Sequence, residues 1–171
     1  MRLASILLLA MAASVAAQAR PKIAILDIHK AILATEDGKT AAADLQRRFA
    51  PEQEKLSGEQ REIDELQKQW NGQATRPDEE SRAFRLRIDD LTRTHGRHVE
   101  DARREFDEER KRILAELGAK IIAVVAQLAK QEHFELVLDD NTPESPVLWR
   151  AAKTEITDQV IQRYNLAQRK K

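Results

Sequence analysis

The sequence predicts an α+β fold, mainly α, in which a long antiparallel helical coiled-coil hairpin projects from a small β body built from N- and C-terminal strands. Three observations point there. Apolar residues repeat every seven positions at Phe49, Leu56, Ile63 and Trp70. The turn-forming stretch NGQATRPDEE at 71–80 separates that pattern from a second long charged one. Short β-type runs stand at both ends, KIAILDI at 22–28 and FELVLDD at 134–140. Charged residues are 34% of the 171 positions and aromatics 4%, a balance that favours long helices over a compact enzyme core.

Residues 1–19 (MRLASILLLAMAASVAAQA) have the layout of a secretory signal peptide, with Arg2 ahead of an apolar run and a small-x-small cleavage site at Ala17-Gln18-Ala19. The run is short for a membrane span, so the mature chain is expected to begin near Arg20. In the first strand, 22–28, Ile23 and Ile25 face one side and Ala24, Leu26 and Ile28 the other, so both faces need cover. Asp27 is placed to cap the short turn HKAIL, and Thr35 with Gly38 marks a break. The outgoing helix then runs from Lys39 to Trp70. Leu45 and Leu66 lie on its second seam position, where Glu52 and Glu59 interrupt the apolar pattern, and Pro51 predicts a bend or helix start.

The return helix, about 78–131, would be roughly 80 Å long at about 1.5 Å per residue, so most of it projects. Its apolar stripe shifts register from Phe84, Ile88, Leu91, His95 and Ala102 to Phe106, Ile113, Leu117, Ile121, Val124 and Leu128. Beyond it, FELVLDD and PVLWR (146–150) read as a β-hairpin around the loop DNTPES. A short final helix follows, with Thr157 as N-cap and an Ile156–Ile161 staple.

Those terminal segments carry a resemblance. KIAILDIHKAILATEDGK, the Phe49-Ala50-Pro51 step into charged heptads, FELVLDD and TEITDQVIQRYN resemble the Skp family of OmpH-like periplasmic chaperones over residues 20–166. The resemblance implies a homotrimer whose strands form a shared β body around which three arms enclose a cavity. It also implies ATP-independent holding of unfolded outer-membrane β-barrel proteins in the periplasm. The domains expected are 20–50 with 113–171 as the trimerising body and 51–112 as the arm. Ile23, Ile25, Leu26, Ile28, Leu136, Leu138, Val147 and Leu148 are the candidate trimer-body residues. Members of that family are often strongly basic. This chain, without Arg2, has 28 basic against 29 acidic residues.

That balance argues against general attraction to nucleic acid, and the lack of cysteine excludes disulfide and thiol chemistry. No phosphate loop, nucleophile elbow or paired acid/base motif is present, so neither an enzyme nor a cofactor is expected. His95 and His98 lack a complete tetrahedral donor set, and Asp139, Asp140 and Asn141 lack the spacing of a calcium loop. Two charge- and glycine-based features remain as candidates. Arg82, Arg85, Arg87, Arg93 and Arg97, against Asp89 and Asp90, form a candidate contact for lipopolysaccharide or anionic phospholipid. Gly58 and Gly96 fall at one height when the hairpin is folded about residue 77, and with Pro51 are candidate hinge positions. The competing readings are a structural coiled-coil adaptor of the cell envelope and a binder of anionic surfaces.

Overall fold

The computed structural model describes residues 21–71, 79–141, 145 and 147–169. The expected signal peptide and most of the hairpin tip lie outside them. In chain order the elements are β1 (Ile23–Leu26), α1 (Ile28–Ala34), α2 (Glu36–Asn71), α3 (Glu79–Glu132), β2 (Leu136–Asp139), a single 3₁₀ turn at Ala152–Thr154 and α4 (Thr157–Gln168). None of these helices is long and apolar enough to cross a membrane.

The body is small and closes on itself. β1 and β2 pair in parallel, Ile23 with Leu136 through Leu26 with Asp139. On the other edge of β1, the Ile25 carbonyl accepts from Ile156 N at 2.9 Å. Ala24 and Leu26 join a core with Ala31, Ile32, Leu117, Ile121, Leu128, Ile156, Val160 and Tyr164. The root of α3 is therefore buried by α1 and α4 of the same chain. Ile25 and Leu26 are 5% and 4% exposed without a second subunit. The cover that the strand needs is supplied within the chain at positions 24–26.

Local chemistry sets each turn. Asp27 Oδ1 caps α1 by accepting from Lys30 N at 2.7 Å. Thr35, fully buried, ends α1 and starts α2, its hydroxyl donating to the Ile32 carbonyl at 2.8 Å and accepting from Gly38 N at 3.0 Å. Gly38 thus belongs to the first turn of α2 and is not a break. α3 ends with His133 in the left-handed region, φ 56°, and Phe134 N donating to the Ala129 carbonyl. Thr157 is the first residue of α4, not its cap, and its hydroxyl accepts from Asp27 N at 3.0 Å.

Two further expectations fail. α2 runs without interruption through Pro51, so no helix starts there; Arg47, whose carbonyl loses its partner, is exposed and can be hydrated. Among the described residues no strand forms over 147–150. Val147 lies outside any strand, and Leu148 and Trp149 are 97% and 83% exposed, because the free edge of β1 is taken by the 155–156 segment. β2 pairs with β1 instead of forming a hairpin with 147–150.

Tyr164 fastens α4 to the start of α2. Its ring is 1% exposed and its hydroxyl donates to Asp37 Oδ2 at 2.8 Å. Burial, then the bond to Asp37, push the phenol up to about 12. The neutral form is the one the fold favours, so this contribution is complete below the unfolded value of about 10 and is lost as pH rises toward 12. Tyr164→Phe should lower stability at neutral pH by about 1 kcal/mol in denaturant titration, and should flatten the alkaline part of the stability profile.

Candidate functional site

The arm is α2 packed antiparallel on α3. Its rungs are Phe49 against Phe106 (edge-to-face, 5.2 Å between ring centres) and Trp70 stacked on Phe84 at 6.2 Å. Ile63, Leu66 and Ile88 are buried between them. The heptad positions that the sequence marks as seam thus meet mirror-related positions on α3. Arg48 reaches Glu109 at 3.0 Å and Glu105 at 3.7 Å across the same interface.

At the root the seam opens. A cleft of about 420 Å³ between α1, α2 and α3 is lined mainly by apolar side chains, among them Leu33, Ala41, Leu45, Phe49, Phe106 and Leu114. A second cleft of about 230 Å³, bounded by Phe49, Gln53, Leu56, Val99, Ala102 and Phe106, continues it up the arm. The two share Phe49, Gln53 and Phe106. Together they make an apolar groove with no cover in one chain. It can accept an extended, variable apolar segment by many weak contacts. Among the described residues no group of three or more His, Asp or Glu is disposed to hold a metal ion.

Higher on the arm, His95 Nδ1 lies 3.0 Å from Glu59 Oε2 and His98 Nδ1 lies 2.9 Å from Glu59 Oε1. Gly58 and Gly96 are the chain neighbours of Glu59 and His95 in this bridge. A Cβ at either would meet nothing within 4 Å. Gly58→Ala and Gly96→Ala should therefore each stabilise the chain by about 1 kcal/mol, seen as a higher denaturation midpoint.

The arginines separate into groups. Arg87 pairs with Glu62 at 3.5 Å, Arg85 lies over the Trp70 ring at 5.3 Å, and Arg97 donates to Thr94 at 3.1 Å. Arg82 and Arg93 have no ion-pair partner among the described residues. Counting one helix overstates the positive field, since the facing stretch 57–71 of α2 carries four acids, Glu59, Glu62, Asp64 and Glu65, against Arg61 and Lys68. Of the candidate body residues, Ile23, Leu136 and Leu148 are exposed, while Ile28, Leu138 and Val147 are half-buried.

Comparison with known proteins follows the same outline. The family model described as "Outer membrane protein (OmpH-like)" matches residues 22–164. No curated protein matches. A solved structure from Caulobacter crescentus CB15, of a candidate OmpH-like outer membrane chaperone, superposes with a TM-score of 0.64 at 17% identity, covering 87% of this chain and 86% of that one. At that identity the likeness establishes the shared fold.

Proposed function

The chain belongs to the OmpH-like outer membrane protein family, and from that premise we propose that it is an ATP-independent periplasmic holdase for unfolded outer-membrane β-barrel proteins. The observation that carries this reading is the uncovered apolar groove running from Leu33 past Phe49 and Phe106 to Val99. A holder of unrelated unfolded chains needs distributed, sequence-tolerant apolar contact, and a groove of this kind supplies it. Binding the unfolded state lowers its free concentration by mass action, and many weak contacts let it leave without nucleotide.

The working form we propose is a homotrimer, exported by a cleaved signal at 1–19. Ile23 and its register partner Leu136, together with Leu148 and Trp149, are apolar surfaces that one chain leaves in water. The test is selectivity. A urea-unfolded outer-membrane β-barrel protein, diluted into buffer without nucleotide, should form a complex with this chain on size exclusion. The same barrel already folded in detergent should not. Equal binding of both forms, or of neither, would favour the adaptor reading.

A second reading, contact with lipopolysaccharide or anionic phospholipid, keeps support from Arg82 and Arg93. Replacing these two by Gln should reduce binding to anionic vesicles at low salt. Unchanged binding would leave them as solvated helix surface.

A further inference from the structure

We propose that Glu59, His95 and His98 form a proton-operated latch across the arm, which draws α2 and α3 together under mildly acidic conditions and loosens as the pH rises. One carboxylate takes both imidazoles, each oxygen accepting from one Nδ1, at 3.0 and 2.9 Å. The His95 side chain is only 15% exposed, so its partner is this carboxylate and not bulk water. A neutral imidazole can donate through Nδ1 in one of its two tautomers. An imidazolium donates from both nitrogens and makes the bond charge-assisted. Protonation therefore removes the tautomer choice and adds an ion pair, and histidine is the side chain that makes this change between about pH 5 and 8.

The carboxylate stays ready throughout that window. The bond from His95 holds Glu59 below the ordinary carboxylate range, with desolvation opposing and His98 and Lys55 assisting. A depressed carboxylate means that its share of the bridge is present above about 4.5 and lost only in stronger acid. Of the other charges within a turn, Arg61 on α2 and Arg93 and Glu100 on α3 have no ion pair among the described residues, and the rest are engaged. On α2, Lys55 pairs with Glu52 and Glu62 with Arg87; on α3, Asp101 pairs with Arg104, and Arg97 donates to Thr94. Among the described residues only His95 and His98 stand within ion-pair distance of the Glu59 carboxylate.

Position gives the latch its leverage. Glu59 occupies a seam position that apolar heptads would fill, and Gly58 and Gly96 weaken both helices beside it. The bridge thus supplies cross-arm attachment where packing is thinnest, just beyond Leu56 and Val99 at the outer end of the groove. The latch is a property of the arm and holds whether or not the chain carries unfolded proteins.

Amide hydrogen exchange on the full mature protein at pH 6 and pH 8, corrected for the intrinsic rate difference, tests it. Protection at residues 55–62 and 92–99 should be roughly three- to tenfold greater at pH 6 in the parent, and the same ratio should be near one in Glu59→Gln and in the double variant His95→Gln, His98→Gln. Gln preserves size and hydrogen bonding, so the helices should form in each variant, as far-UV circular dichroism would record. A parent with no pH dependence in these segments overturns the proposal. So does a variant that keeps the parent's ratio.

Discussion

Gly38→Ala should be among the most damaging single-methyl additions to this chain, lowering stability by about 3 kcal/mol. A Cβ at position 38 would overlap the Ile32 carbonyl oxygen and lie 3.0 Å from Thr35 Oγ1. The obstruction is backbone, so no rotamer change relieves it. Moving it means moving the end of α1, where Ile32 is in the core and Thr35 holds both helix termini. The same substitution at Gly58 or Gly96 should stabilise, because there the space is open. A denaturation midpoint for Gly38→Ala within about 0.5 kcal/mol of the parent would show that α1 and α2 can separate freely.

Replacing Leu148 by Asp together with Trp149 by Ser should abolish assembly while leaving each chain folded. Both side chains are almost fully in water in the single chain and touch no part of its core. Their loss costs the subunit little, whereas a trimer that buries them would have to desolvate a carboxylate. Ile25 and Leu26 are less informative targets, since both are buried inside the subunit and a charge there would unfold it. Sedimentation velocity of the double variant should show monomers with parent-like helix content. An unchanged oligomer would remove this segment from the interface.

Much of the architecture is legible in the residues because the arm is periodic. A seven-residue repeat with Gly and Pro at the tip leaves few alternatives to a hairpin, and α2 and α3 end within three residues of the positions expected. Parallel pairing of β1 with β2 is less legible, since FELVLDD and PVLWR equally suggest a hairpin. What decides is the competition for the β1 edge by Glu155 and Ile156, a long-range contact with no local signature. Thr35 and Gly38 together read as a break. Only the approach of Ile32 shows that the hydroxyl is the pivot and the glycine a clearance. Height along the hairpin is also legible, which brings Glu59 level with His95. Rotation about the helix axis is not, and it is rotation that lets one carboxylate hold both His95 and His98 and lets Glu62 neutralise Arg87.

Light scattering separates a holdase from an inert coiled coil. An outer-membrane β-barrel protein unfolded in urea is diluted into nucleotide-free buffer with and without a stoichiometric amount of the assembled mature chain. A holdase should suppress scattering in proportion to the chain added, and Leu33→Glu with Val99→Glu, which place charge at exposed positions of the apolar groove, should weaken the suppression while the arms remain helical. Scattering that rises equally with and without the chain would contradict the holdase account.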